Sequence, residues 1–268
     1  MEARIYINSN MDGPAYHDAA GGLVAIWSSQ SPGQDHEHNE DSAALFNLGG
    51  GRAVLALADG AGGVRGGDIA SALAIRQLET ELDRNSSDER GLRGCILDAF
   101  ENANRAIIDQ GIGAATTLAV IEIDSGVIRS YHAGDSAVIV VGQRGKRKLQ
   151  TVAHSPVGYA VESGVIDAQD AMQHDDRHLI SNFVGAPAMH IEVGAPLRLA
   201  RYDTVLIASD GLTDNLHNGE IVEMIRKGPL GAVTEQVAGT VQRRMQTPDA
   251  EHPSKPDDCT FMLFRRSG

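Results

Sequence analysis

Cysteine is scarce in this sequence, positive charge is outnumbered, and long apolar runs are missing. Its two cysteines, Cys95 and Cys259, lie far apart and lack the close spacing of a metal knuckle. They read as reduced, partly buried thiols, with no disulfide framework. Lys and Arg number 23 against 36 Asp and Glu, a formal net charge of -13. So negative a chain repels phosphate backbones and anionic lipid, which argues against nucleic acid and membrane partners. No run is long enough to span a bilayer, and no basic-then-apolar leader opens the chain. The expected location is therefore cytoplasmic. Internal repeats, low-complexity tracts and long linkers are absent too. What is there is 268 residues, 42% of them hydrophobic, enough for a large core. Residues 1–21 read as an irregular N-terminal segment and 22–268 as one catalytic domain, expected to be a monomer.

Apolar periodicity supplies an element map. Residues 54–58 read as a short, wholly apolar strand. Residues 68–82 read as a helix with Ile69, Leu73 and Leu82 near one face, and 91–108 as a second with Leu92, Cys95, Ile96, Ala99, Phe100 and Ala103. Strands at 117–123 and 127–133 flank Asp-Ser-Gly, a hairpin signal. A strand at 137–141 follows Gly134-Asp135-Ser136, which has the form of a tight structural turn, and 143–148 reads as a polar hairpin tip. Residues 156–171 carry a helical stretch, 204–209 a buried strand, 220–226 and 232–244 helices, and 260–264 a closing strand. Adjacent strands joined by short turns argue for antiparallel sheets, with helices packed outside them. The expected class is α+β; a doubly wound parallel sheet would need a helix after each strand.

The segment LALADGAGGVRGGDIAS, Leu55 to Ser71, joins this map to chemistry. An apolar run stops at Asp59 and five glycines follow within eight residues. Three other stretches share the grammar: Asn39-Glu40-Asp41 before an apolar run, Asp210-Gly211 after one, and Asp257-Asp258 before the last strand. One Asp-Gly alone is an ordinary turn dipeptide. Several carboxylates brought together at strand ends would repel one another and lose hydration, a conflict that a divalent cation removes. Mg²⁺ and Mn²⁺ prefer oxygen ligands, and two such ions about 4 Å apart share a bridging water and lower its pKa toward neutrality. Asp59 then reads as a rim ligand. Gly60 lets the backbone turn so that its carbonyl also faces an ion, and Gly62, Gly63, Gly66 and Gly67 keep the approach clear.

In chain order, NEDSAALF, LALADGAGGVRGGDIAS, GAATTLAVIEI, YHAGDSAVIVV, LIASDGLTDNLHNGEIVEMI and PDDCTFMLF resemble the motifs of the metal-dependent protein serine/threonine phosphatases of type 2C. The likeness runs over about residues 22–264, and the segment from His154 to Gly185 resembles that family's flap. The resemblance implies a four-layer α-β-β-α sandwich, two antiparallel sheets flanked by helix pairs, with a binuclear Mn²⁺ or Mg²⁺ centre at one edge. By it Asp59 bridges the ions, Asp210 and Asp257 hold the first, Glu40 and the Gly60 carbonyl serve the second, and Asp41 orients metal-bound water. A third ion, common in bacterial members, would fall to Asp109 with Asp210. The implied reaction is in-line hydrolysis of phosphoserine or phosphothreonine in a phosphorylated protein by a metal-bridged hydroxide, with no phospho-enzyme.

The chain departs from that pattern at several positions. His36 stands where the family carries a phosphate-gripping Arg, and Arg65 or Arg177 are candidates to take over the grip. Ala61 replaces a His, Ala137 replaces an Arg, and Asp258 replaces an Asn and adds charge beside the centre. His36 keeps open a second class of function, a phosphatase-like module that binds without turnover. The stretches His36-Glu37-His38 and His174 to His178 tempt a zinc reading, but neither has a partner His at a known spacing, and both read as polar loops.

Overall fold

The protein is described by a computed structural model over residues 1–33, 38–61, 66–84, 91–172, 174–249 and 251–266. In chain order its strands are β1 (Glu2–Ile7), β2 (Ala15–Ala19), β3 (Gly22–Ser29), β4 (Asp41–Gly49), β5 (Arg52–Asp59), β6 (Leu118–Asp124), β7 (Val127–Ala133), β8 (Ala137–Val141), β9 (Arg147–Gln150), β10 (Glu192–Val193), β11 (Leu197–Arg198), β12 (Thr204–Ala208) and β13 (Cys259–Arg266). Its helices are α1 (Gly67–Arg84), α2 (Gly91–Ile108), α3 (Pro156–Glu162), α4 (Ala168–Ala171), α5 (Asp210–Thr213), α6 (Asn218–Ile225) and α7 (Leu230–Gln246).

The strands form two sheets whose pairings are all antiparallel. One runs β1-β4-β5-β6-β7-β10, with β11 also on β7; the other runs β2-β3-β13-β12-β8-β9. Three apolar layers hold them together. Leu45, Leu55, Leu57 and Ile121 of the first sheet meet Ile26, Val140, Ile207 and Phe264 of the second. On the outer face of the first sheet, Phe46, Val54 and Val120 pack on Ile75, Leu78, Ile96 and Phe100 of α1 and α2. On the outer face of the second, Trp27, Leu206 and Phe261 pack on Leu212, Ile221, Val237 and Val241 of α5, α6 and α7. The result is the expected α-β-β-α sandwich. Because each sheet is covered on both faces, alternate residues enter different apolar layers: Ala43 and Leu45 face the other sheet, Ala44 and Phe46 the helices. That is why β4, β5 and β12 read as unbroken apolar runs.

Two expectations need correction. Residues 1–21 are not irregular: β1 pairs with β4 and β2 with β3, placing each at the edge of a sheet. Edge strands pair on one side only and keep much of their surface wet: Glu2, Arg4, Tyr16 and Asp18 are exposed in alternation with half-buried neighbours, a weaker signal than the apolar runs of the central strands. The helical stretch at 156–171 is two short helices, α3 and α4, and a 3-10 turn follows at Asp175–His178. Pro156 and the Ser155 side chain, which accepts the Gly158 N–H, start the first. The Asp-Ser-Gly hairpin is as read. Ser125 (φ 50°) and Gly126 (φ 80°) both take the left-handed conformation that a two-residue I′ turn requires.

The second sheet and α5 meet with no room to spare. A Cβ at Gly211 would overlap the carbonyl oxygen of Asp258 at the start of β13. Gly211→Ala is expected to destabilise the fold by about 1–3 kcal/mol, while Gly219→Ala in α6, where a Cβ meets nothing, is expected to be neutral or stabilising by up to about 1 kcal/mol. Chemical denaturation midpoints compare the two; equal shifts would refute the close contact.

Candidate metal centre

Strand ends build the site. β4 begins on Asp41 and β5 ends on Asp59, and these two carboxylates are register partners, directly opposite each other. Like charges so placed are unfavourable. In the other sheet β12 lies between β8 and β13, with Ala208 facing Ala137 on one side and Phe261 on the other. The residues just beyond those strand ends are Asp135, Asp210 and Asp257. The two rims touch: the Ser209 hydroxyl donates to Asp41 Oδ2 at 2.9 Å, and the Asp210 N–H points at Asp59 Oδ2 at 3.5 Å.

The surrounding motifs brace these ends. The Asp59 N–H donates to Thr117 Oγ1 (3.1 Å), while Thr116 Oγ1 and the Thr117 N–H both donate to the Asp59 carbonyl (2.8 Å each). Thr117 Oγ1 in turn shares a 2.6 Å hydrogen bond with Ser136 Oγ. Gly134 (φ 118°) lies so close to Thr117 that a Cβ would clash with it. Gly134-Asp135-Ser136 is thus a structural turn, as expected, and it also delivers Asp135. On the opposite side Asp258 accepts the N–H groups of Ser31 (2.8 Å) and Glu40 (2.6 Å), and Asn39 Oδ1 accepts the Asp41 N–H (2.8 Å). Asp258 therefore spends both oxygens on holding the loop that carries Glu40. The glycines after Asp59 serve close approach. A Cβ at Gly60 would strike the Gly67 backbone, and one at Gly67 would lie 2.9 Å from Glu40 Oε1.

The electrostatics are those of carboxylates crowded together out of water. Asp41 is 1% exposed, and its Oδ1 and that of Asp135 are buried without a hydrogen-bond partner. Burial, then neighbouring carboxylates, pushes Asp41 and Asp59 well above the ordinary carboxylate range. The same two causes raise Asp135 and Asp257 to about 7 and lift Asp214 as well. Burial alone would lower the Lys255 ammonium, but Asp210, Asp214 and Asp257 around it raise it instead. An all-oxygen donor set with orphaned buried oxygens fits hard divalent cations such as Mg²⁺ or Mn²⁺.

Glu40, Asp41, Asp59, Gly60, Asp210 and Asp257, picked out from sequence, all lie at this rim. Asp109 does not join them: it is exposed in the turn after α2, and among the described residues no ion pair or side-chain hydrogen bond links it to the cluster. The carboxylates beside Asp210 are instead Asp135 and Asp214. Sequence reasoning missed both, although Asp135 stands just before a buried strand and Asp214 one helical turn after Asp210. His36 and Arg65 lie outside the described residues. Arg177, in the 3-10 turn, lines a groove of about 450 Å³ with Asp135, Asp210 and Asp214, and its charge acts on Asp214.

A second cluster, His132, His154 and Glu192, has ligand atoms within 4.8 Å of one another. Its hydrogen bonds argue against a metal. The Gly134 N–H donates to His154 Nδ1 (3.2 Å), so the proton sits on Nε2 and faces Glu192 (3.2 Å). His132 Nε2 faces the Val152 carbonyl (3.0 Å), which can only accept. Burial lowers both imidazoles below the ordinary histidine value, which keeps them neutral. The cluster is a brace from the Gly134 turn to β10. The other histidine stretch is equally local: His174 Nδ1 accepts the Asp176 N–H and caps the 3-10 turn.

Comparison with known proteins agrees with this geometry. A Streptococcus pyogenes protein described as protein phosphatase 2C-type is 32% identical over 201 residues, 72% of this chain and 80% of that protein. The serine/threonine phosphatase of S. agalactiae superposes with a TM-score of 0.77 at 25% identity, covering 91% of this chain and 99% of that one. The catalytic domain of the serine/threonine protein phosphatase PstP, solved in complex with two manganese ions, superposes with a TM-score of 0.70 at 24% identity, covering 90% and 96%. The family model for protein phosphatase 2C matches residues 30–252, so the chain belongs to the protein phosphatase 2C family of serine/threonine protein phosphatases.

Proposed function

We propose that the carboxylate rim holds two Mn²⁺ or Mg²⁺ ions and hydrolyses phosphoserine and phosphothreonine in protein substrates without a phospho-enzyme. The observation that carries this reading is the set of buried, mutually repelling carboxylates with orphaned oxygens, for which a cation is the fitting counter-charge. Asp59 lies between the two sheet rims and suits a bridging role. Asp210 and Asp257 would hold one ion, and Glu40 and the Gly60 carbonyl the other; Asp135 and Asp214, rather than Asp109, flank Asp210. Divalent ions bound there lower the pKa of a coordinated water and neutralise charge on the phosphoryl oxygens. Asp41, held by Ser209 through Oδ2, has Oδ1 available to accept a hydrogen bond from the attacking water. Arg177 offers a guanidinium to the substrate along the groove. Cys259 is no nucleophile: burial, then the nearby carboxylates, drives its thiol well above the ordinary value. Among the described residues no helix is long and apolar enough to cross a membrane. A cytoplasmic monomer acting on phosphoproteins fits the acidic composition.

Hydrolysis of p-nitrophenyl phosphate and of a phosphothreonine peptide is expected to require added Mn²⁺ and to stop with chelator. Absence of metal-stimulated hydrolysis of both would favour a binding module instead. Asp59→Asn is expected to lower the rate by about a hundredfold or more while the metal-free protein melts higher, because one repelling charge is gone. A near-normal rate would overturn the bridging assignment.

The raised carboxyls also set a pH dependence. Unfolded Asp titrates near about 4, whereas folded Asp135 and Asp257 titrate at about 7. Their protonated forms favour the folded state, so that stability is present below about pH 4 and is lost as pH rises through about 7. In chelator the melting temperature is expected to fall between about pH 5 and pH 8, and the gain on adding Mn²⁺ to be larger at the higher pH. A flat profile in chelator would refute the assignment.

A further inference from the structure

No role above uses Lys255. Its Nζ lies 2.8 Å from Asp210 Oδ2, 2.9 Å from Asp214 Oδ2 and 3.0 Å from Asp257 Oδ2. An ammonium has three donors, and here each meets a different carboxylate. Exposed lysines usually reach one partner loosely and contribute little. This one is fixed from the backbone outward. Its N–H donates to Asn215 Oδ1 (2.9 Å), and its carbonyl accepts from Asn215 Nδ2 (2.8 Å). Asn215 is fully buried and also donates to the Gly211 carbonyl at 2.8 Å. One amide side chain therefore ties the segment carrying Lys255 to α5, which carries Asp210 and leads into Asp214. Just upstream, Ser254 Oγ donates to the Arg244 carbonyl (2.8 Å), and Arg244 donates to the Asn215 carbonyl (2.6 Å). The lysine is anchored on both sides before its side chain reaches the carboxylates.

We propose that Lys255 is a resident cation of the carboxylate rim. Its ammonium takes the cation position between Asp210, Asp214 and Asp257, so the rim stays assembled without metal and the chain binds one divalent ion fewer than its carboxylates would otherwise hold. The inference rests on the metal-centre reading above. A tethered ammonium supplies one positive charge and no coordination chemistry. When divalent ions take Asp210 and Asp257, it keeps Asp214, the residue that caps the end of α5, and denies that position to another ion. Asp214 then remains compensated by the protein itself.

Metal stoichiometry tests this directly. Wild type, Lys255→Met and Lys255→Arg, all purified in Mn²⁺, are compared by elemental analysis of bound Mn²⁺, by titration calorimetry and by melting in chelator. Lys255→Met keeps the length of the stem without the charge. It is expected to bind one more Mn²⁺ per chain, or to bind its weakest ion about tenfold tighter, and to melt lower than wild type in chelator but not in Mn²⁺. Lys255→Arg keeps the charge and is expected to keep the wild-type stoichiometry. If Lys255→Met matches wild type in ion number, affinity and chelator stability while wild type binds Mn²⁺, the resident-cation role is overturned and the metal centre stands. If wild type binds no Mn²⁺, the metal centre itself falls and this inference with it.

Discussion

Repulsion between carboxylates that the fold forces together governs the rest of this structure. Asp41 and Asp59 sit opposite each other across two paired strands, and Asp135, Asp210 and Asp257 stand at three neighbouring strand ends of the facing sheet. Desolvation at the rim strengthens every term of that repulsion. A protein selected for stability alone would not place them so. Buried oxygen donors so crowded fit a divalent ion as counter-charge, and such binding couples to their protonation.

The sandwich is what makes such convergence possible. Two sheets packed through an apolar middle layer bring the ends of non-consecutive strands to one edge, and the covalent order of the chain hardly matters there. The polar motifs around the edge then hold backbone rather than substrate. Thr116, Thr117 and Ser136 fix Asp59, and Asp258 and Asn39 fix the Glu40 loop. Asp258 shows how composition misleads: as a charge beside the centre it looks like a ligand, yet both its oxygens are occupied by backbone N–H groups. Lys255 shows the converse. A lone lysine between Ser254 and Pro256 looks like surface in the sequence, and the fold turns it inward onto three carboxylates.

Much of the architecture was legible because both sheets are buried on both faces. The apolar runs at Val54, Thr204 and Thr260 and the amphipathic pattern of α2 needed no tertiary information. The Asp-Ser-Gly turn was legible because only residues tolerant of positive φ close so short a hairpin. The edge strands β1 and β2 were not, since short strands whose alternate residues are exposed carry no unbroken apolar run. Among site residues, those in an Asp-Gly or Asn-Glu-Asp context at the end of an apolar run stood out. Asp109 was placed by motif order rather than by such a context, and it is exposed in the turn after α2.

The layer pattern, the acidic character and a set of carboxylates at strand ends could be read along the chain, because burial and turn formation are written in local composition. Which of those carboxylates meet was settled by folding. It joined Asp135 and Asp214 to Asp210, left Asp109 outside, turned Asp258 into a brace and brought Lys255 in, because these contacts depend on sheet register and on strand ends separated by up to about two hundred residues of chain.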